Sequence, residues 1–165
     1  MDFTFIAAQT GPDAVVGQFR ETVYPAIRES LAPFAPELIL AILGIAILLA
    51  DLFLPQSRSK HLAWVALLAC ALPLIGIRAR YAESRSIFLG MAAVDPFSDF
   101  FKMFLLTAGF PVVVLSYLSK DLQGRRMGEY YFVLLSAILG GMLMASASHF
   151  LMVFLSLELL SVSSY

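Results

Sequence analysis

Long apolar stretches separated by short polar segments dominate this chain. A transmembrane helix needs about 20 mostly apolar residues to cross a hydrocarbon core roughly 30 Å thick. Five stretches approach or reach that length, at residues 34–54, 61–77, 97–118, 130–146 and 150–165. The pattern therefore predicts an all-α fold, a polytopic bundle of about five transmembrane helices that occupies residues 36–165.

The first 35 residues form an extension ahead of the first apolar stretch. Phe19, Val23, Ala26 and Ile27 are spaced by three and four positions, which is typical of a helix with one apolar face. A helix of this kind lies on a membrane surface. We predict a surface amphipathic helix within residues 1–35, with a loose extension of no function as the alternative. The extension lacks the basic start and early apolar run of a secretory signal peptide.

The composition supports a membrane protein and excludes several other classes. Of the 165 residues, 60% are hydrophobic and 14% are charged, whereas soluble domains have about 45–50% apolar and about 25% charged residues. The net charge of −1 offers no electrostatic surface for a polyanion, so we expect no nucleic-acid partner. The single cysteine, Cys70, cannot form an internal disulfide and is a poor start for a metal site. We therefore expect an integral membrane protein that contacts the lipid bilayer.

The distribution of cations between loops predicts how the chain is oriented. Lys and Arg concentrate in short cytoplasmic loops. The loop after the first helix contains Arg58 and Lys60, and the loop after the third contains Lys120, Arg125 and Arg126. The opposite side carries as many cations, but they are spread over longer segments. We therefore expect these two loops to be cytoplasmic and the N-terminus to be periplasmic.

An acidic residue within the fifth apolar stretch is the main candidate for chemistry. Glu158 follows Phe150 by eight positions and has leucine on both sides. An acidic side chain near the bilayer centre costs about 2.5–3.5 kcal/mol, so it usually faces the bundle interior and belongs to an ion or proton pathway. Ser161 and Tyr165 follow at i+3 and i+7 and share its helix face. We predict that Glu158 is a proton relay with Ser161 and Tyr165 beside it; the alternative is a Glu158 that only hydrogen-bonds between helices.

Other charged residues lie near the predicted helix ends. Lys102 follows Asp99 by about one helical turn, which favours a partly solvated pair at the membrane surface. The alternative role for Lys102 is an early position in a charge relay. Glu37 and Asp51 lie towards the two ends of the first helix, and we expect both to be interfacial rather than buried.

Three further polar residues flank the predicted helices. Asp95 and Glu129 lie just before their helices, where negative charge stabilises a helix N-terminus. His149 falls in the turn between the fourth and fifth helices. It is either an ordinary interfacial histidine or a group through which protons enter or leave.

Small residues recur at four-residue spacing in the fourth apolar stretch. The pairs are Ser136/Gly140, Ala137/Gly141 and Gly141/Ala145. Such pairs let a second helix approach closely in a membrane. We therefore expect the fourth helix to be packed among other helices.

Three stretches resemble the subunit N family of proton-pumping NADH–quinone oxidoreductase, the respiratory complex I. The most specific is GEYYFVLLSAILGGMLMASASHFLMVFLSLELLS at residues 128–161, which resembles the family's fourth and fifth transmembrane helices. The others are VDPFSDFFKMFLLTAG at residues 94–109 and PELILAILGIAILLADLFLP at residues 36–55, which resemble the start of the third helix and the first helix. The resemblance implies an antiporter-like fold of about fourteen transmembrane helices, of which this chain is the front part.

The resemblance also implies a role for Glu158. It matches the family's fifth-helix glutamate, which pairs with a lysine on a later helix and takes part in moving protons when quinone is reduced elsewhere in the complex. The chain stops at Tyr165, before the helices that carry those lysines. We therefore expect an N-terminal fragment that is inactive alone.

As a member of that family, the chain would be one subunit of a hetero-oligomeric translocase in the bacterial inner membrane. Its partners would be the other membrane-arm subunits. We expect no cofactor in this chain, because NADH, FMN, iron–sulfur clusters and quinone would bind to partner subunits. Two alternatives remain open: an antiporter-type subunit of a multisubunit cation/proton exchanger or membrane hydrogenase, and a non-catalytic membrane scaffold.

Overall fold

The computed structural model describes residues 12–53, 61–79, 84–119 and 127–165. Helices account for most of this part of the chain. They are α1 (Pro12–Leu31), α2 (Ala35–Phe53), α3 (His61–Ala79), α4 (Pro96–Leu118), α5 (Met127–Ser146) and α6 (Phe150–Ser164). A two-stranded antiparallel hairpin, β1 (Arg85–Ile87) and β2 (Ala92–Val94), lies between α3 and α4.

Four of these helices are long and apolar enough to cross a membrane, namely α2, α3, α4 and α5. The fifth apolar helix, α6, is shorter, at 15 residues. The predicted polytopic helix bundle is therefore confirmed, and α5 shows the largest difference at a helix start, beginning at Met127 rather than near Tyr130. Large apolar side chains such as Ile45, Leu68 and Phe104 are exposed on the outside of the bundle. This is the pattern of a protein whose surroundings are as apolar as its core.

The five bundle helices alternate in direction, which defines two ends. Helices α2, α4 and α6 begin at the same end of the bundle, and α3 and α5 end there. The β-hairpin also lies at this end, which we call the hairpin end. We call the opposite end the loop end. The hairpin, which connects α3 to α4, is hydrogen-bonded to the connection between α5 and α6. Ala92 forms a bridge with Ala147, and the Ser148 amide donates to the Met91 carbonyl at 3.0 Å. The cationic loops that predict the orientation lie outside the described residues.

Helix α5 occupies the centre of the bundle and packs against α2, α3, α4 and α6. Its small residues allow two of these contacts. A Cβ added at Gly140 would lie 3.1 Å from the Leu160 amide nitrogen and 3.3 Å from the Ser156 carbonyl oxygen of α6. A Cβ at Gly141 would lie 2.9 Å from a methyl carbon of Leu105 on α4. The predicted close packing around the fourth apolar helix is confirmed.

Gly140→Ala should loosen the contact between α5 and α6. The added methyl meets backbone atoms of α6, which cannot rotate away, so we expect a loss of about 1–3 kcal/mol of unfolding free energy. Gly76→Ala in α3 is the matched control, since its nearest atom would be 4.0 Å away. Thermal unfolding of the two variants in detergent compares them. Equal midpoints would contradict the observed close approach.

Asp95 fixes the point at which α4 begins. Its Oδ1 accepts from the Ser98 amide at 2.7 Å, and its own amide donates to Ser98 Oγ at 3.1 Å, which together form a capping box. The prediction that Asp95 stabilises a helix N-terminus is confirmed. Glu129 lies in the first turn of α5, where its charge has the same favourable sign.

Replacing this cap tests its contribution. Asp95→Ala should lower the unfolding free energy by about 1 kcal/mol, because the Ser98 amide loses its acceptor. Asp95→Asn retains an acceptor oxygen and should lose much less. The unfolding midpoints of the two variants provide the measurement, and an equal loss for both would show that the hydrogen bond contributes nothing.

The N-terminal helix α1 is longer than the short helix that the sequence predicts, and it is anchored at its end. The Phe88 amide donates to Ser30 Oγ at 3.0 Å, and the rings of Phe34 and Phe88 meet edge to face at 5.0 Å. Phe19 and Ile27 are exposed on α1. A helix in this extension is therefore confirmed, while its place on a membrane surface stays a prediction.

Candidate functional site

Glu158 lies in the middle of α6, on the side away from the bundle. It follows Phe150 by eight residues, which is about 12 Å along a helix. Ser156 marks the opposite side of α6, since it is buried and its carbonyl approaches Gly140 of α5. Glu158, Ser161 and Tyr165 are all exposed, so the predicted polar stripe exists as one face of α6.

The expectation that Glu158 faces the interior is not met within the described helices. The reason is the position of α6, which packs mainly on α5 and leaves its other face uncovered. A carboxylate turned towards acyl chains is costly, so this face requires either more protein or water against it. The structure brings neither Lys102 nor His149 to Glu158, and the relay role of Glu158, Ser161 and Tyr165 stays a prediction.

His149 caps the start of α6. It is exposed in the turn before the helix, as the sequence predicts, and its Nδ1 accepts from the Leu151 amide at 3.3 Å. A proton added at Nδ1 would remove this acceptor. His149 is therefore coupled to the start of the helix that carries Glu158, and its use as a proton entry or exit group stays a prediction.

Lys102 forms a buried ion pair with Glu37. The Nζ of Lys102 lies 2.6 Å from Oε1 of Glu37, and both side chains are 1% exposed. Lys102, Asp99 and Glu37 are all buried, so the predictions that Lys102 and Asp99 are partly solvated at the membrane surface and that Glu37 is interfacial are wrong. Helices α2 and α4 each pack on α3 and α5, so the two side chains meet across the interior of this four-helix group. Asp99 is buried beside them on the same face of α4.

Asp51 is also buried rather than interfacial, at the loop end. A Cβ added at Gly128 would collide with the Asp51 side chain, so the absence of a side chain at Gly128 makes room for the carboxyl group. Gly128 belongs to the first turn of α5. The carboxyl group therefore lies next to a helix N-terminus, where negative charge is favourable.

The interior between these two buried acidic groups is apolar. Side chains of Ile47, Leu106, Val113 and Leu135 fill it, each no more than 1% exposed. The described helices thus hold buried charged side chains near both ends, Glu37, Asp99 and Lys102 at the hairpin end and Asp51 at the loop end, with an apolar layer between them. Within the described residues no three His, Cys, Asp or Glu side chains come together as a metal site.

No protein-family model matches this chain. It is 37% identical over 138 residues to NADH-quinone oxidoreductase subunit N 2 of Koribacter versatilis, covering 79% of this chain and 28% of that protein. It is 43% identical over 135 residues to NADH-quinone oxidoreductase subunit N of Geobacillus kaustophilus, covering 79% and 27%.

The same relationship extends into the N-terminal region and into structure. The subunit N of Trichlorobacter lovleyi is 34% identical over 155 residues, covering 93% of this chain and 30% of that protein. The fold is similar to a chain of respiratory complex I from Thermus thermophilus with bound aureothin, with a TM-score of 0.63 and 30% identity over 78% of this chain and 27% of the other. The chain resembles part of subunit N of NADH-quinone oxidoreductase. It spans less than a third of the length of these subunit N relatives.

The similarity to subunit N and the apolar helices together establish a multi-pass membrane protein. The region matched in these relatives is part of a longer protein.

Proposed function

We propose that this chain is part of a subunit that translocates protons in the membrane arm of an NADH–quinone oxidoreductase, with Glu158 as its proton relay. The observation that carries the proposal is a single carboxyl group in the middle of an apolar helix, on a face that the described helices leave uncovered. The similarity to subunit N supplies the reaction to which such a group would contribute.

The chemistry follows from the environment of Glu158. Burial in apolar surroundings favours the protonated carboxyl group, whereas a nearby cation favours the carboxylate. A carboxyl group that lies first in apolar surroundings and then next to a cation binds a proton in the first environment and releases it in the second. Ser161 and Tyr165 lie along the same face and provide hydroxyl groups that both donate and accept hydrogen bonds.

The face that carries Glu158 would be covered by further helices of the whole protein, one of which supplies the cation. Subunit N relatives are more than three times as long as the matched region, which gives ample length for such helices. The redox cofactors, NADH, FMN, iron–sulfur clusters and quinone, would belong to partner subunits. The complex would be a hetero-oligomer in the bacterial inner membrane, with the N-terminus in the periplasm.

Purification from native membranes tests the assignment to this complex. An affinity tag on the intact protein should recover the other subunits of NADH–quinone oxidoreductase, identified by mass spectrometry, together with NADH:quinone activity. Recovery of exchanger or hydrogenase subunits instead would assign the protein to a different antiporter-type assembly. A stable complex that forms equally well without the protein would contradict both assignments.

A further inference from the structure

The buried Glu37–Lys102 pair is less completely hydrogen-bonded than a structural ion pair requires. Among the described residues, Glu37 Oε2 has no hydrogen-bond partner. The Lys102 ammonium group has three donors, and its Nζ approaches Glu37 Oε1 to 2.6 Å. Buried polar groups are nearly always satisfied, and those left open in a polar site mark a place for water or for a mobile proton.

The Glu37–Lys102 pair lies near the hairpin end of the bundle, and apolar side chains separate it from the loop end. Glu37 lies in the first turn of α2, and Lys102 lies six residues into α4, about 9 Å from its start. Leu40 and Leu106, one turn further along each helix, begin the apolar layer that separates the pair from the loop end. The pair therefore lies closer to the hairpin end of the bundle than to the loop end.

Few other charged groups surround the pair. Asp99, one turn before Lys102 on α4, is the other titratable side chain buried at the hairpin end among the described residues. Asp95 is half-buried at the N-cap of α4, while Arg78, Arg85 and His149 are exposed at the same end. The buried side chains that α3, α5 and the hairpin contribute there are uncharged.

We propose that Glu37 and Lys102 exchange protons with the aqueous phase at the hairpin end, as a station separate from Glu158. The Lys102 ammonium gives a proton to the Glu37 carboxylate, which leaves a neutral amine and a neutral acid. The amine then takes a proton from a hydronium ion of the aqueous phase at the hairpin end, and the acid releases its own proton to a water molecule of the same phase. One proton enters, one leaves, and the ion pair is restored. This inference rests on the proposed function, since it presumes that the protein moves protons.

Burial disfavours both charges of the pair, and desolvation offsets much of their mutual attraction. Proton transfer within the pair removes both charges at once. A merely structural pair makes a different prediction. Two apolar side chains of similar volume can replace a structural pair without loss, whereas they cannot carry a proton.

The test uses the intact complex, reconstituted into vesicles with a pH-sensitive dye as the probe of proton movement. Glu37→Leu combined with Lys102→Met should assemble normally, yet lower proton translocation per assembled complex by roughly tenfold or more. Lys102→Arg should also assemble and lose translocation, because a guanidinium keeps the ion pair but does not release its proton. Arg78→Met, which removes an exposed cation at the same end, is the matched control.

Several results would overturn the proposal. Wild-type translocation in the double variant or in Lys102→Arg would show that the pair only ties α2 to α4. Failure of both variants to assemble would assign the pair to folding. Glu158→Gln separates this inference from the proposed function. Normal proton translocation in Glu158→Gln would refute the relay role of Glu158. Loss of translocation in Glu158→Gln, together with normal translocation in the Glu37 and Lys102 variants, would refute only the station at the hairpin end.

Discussion

Lys102→Met is expected to lower the free energy of unfolding by about 3–5 kcal/mol, because it leaves Glu37 buried without its cation. The carboxyl group of Glu37 is 1% exposed, so solvent cannot replace the lost partner. A double variant, Glu37→Leu with Lys102→Met, removes both charges and should recover most of the loss. Denaturant unfolding of the intact protein in detergent, followed by circular dichroism, measures all three proteins.

The control for this experiment is a cation at the same end of the bundle that has no buried partner. Arg78 is exposed in the last turn of α3, and Arg78→Met should leave the unfolding midpoint nearly unchanged. If Lys102→Met and Arg78→Met had the same small effect, the ion pair across the four-helix group would not be a stabilising contact of the protein.

The membrane helices could be predicted because their signal is local. The length of each apolar stretch is set by membrane thickness, and its ends are marked by residues such as Asp95 that cap the following helix. The close packing of α5 was likewise visible in the spacing of Gly140 and Gly141. These features depend on residues within one helix, so the sequence contains them directly.

The burial of Glu37, Asp51 and Lys102 could not be predicted because it depends on neighbouring helices. In a membrane bundle the outer face is as apolar as the inner face, so hydrophobic periodicity does not show which side of α2 or α4 is covered. A sequence signal does exist in retrospect. Charged residues within apolar helices prefer to pair with one another, and Glu37 and Lys102 are of opposite sign near the same end of the bundle.

The hairpin was missed for a related reason. Its strands are three residues long, too short for an alternating pattern, and they are held by the distant residues Ala147 and Ser148. Two consecutive residues at its turn, Phe88 and Leu89, have φ angles of 51° and 57°, a conformation that side chains other than glycine rarely adopt. Tertiary contacts therefore determine this segment.

Glu158 was located correctly within its helix, but its surroundings could not be derived. The sequence places it halfway along α6 on one face with Ser161 and Tyr165, and the structure confirms that arrangement. Among the described helices α6 packs mainly on α5, and the face that carries Glu158 is exposed. Its function is therefore tested in the intact protein.

Glu158→Gln is expected to abolish most proton translocation while the complex still assembles. Glutamine has nearly the same shape and hydrogen-bonding capacity, but it cannot bind and release a proton. Positioned acid–base groups contribute about 10²–10⁴-fold to the steps in which they transfer protons, so the loss should be large. Glu158→Asp keeps a carboxyl group and should retain partial translocation.

A neighbouring substitution provides the matched control. Ser164 lies on the same helix, is exposed, and donates its hydroxyl hydrogen to the Leu160 carbonyl at 2.8 Å. Ser164→Ala should leave translocation unchanged, because Ser164 lies outside the face shared by Glu158, Ser161 and Tyr165. A scaffold role for Glu158 makes a different prediction, namely reduced abundance of the complex with normal translocation by each assembled copy.

The most direct measurement is the number of protons moved per electron by the assembled complex in sealed vesicles, compared between the wild type and Glu158→Gln. A proton relay at Glu158 predicts a clear fall in this ratio at equal amounts of assembled complex. An unchanged ratio in a fully assembled Glu158→Gln complex would contradict the role assigned to this carboxyl group.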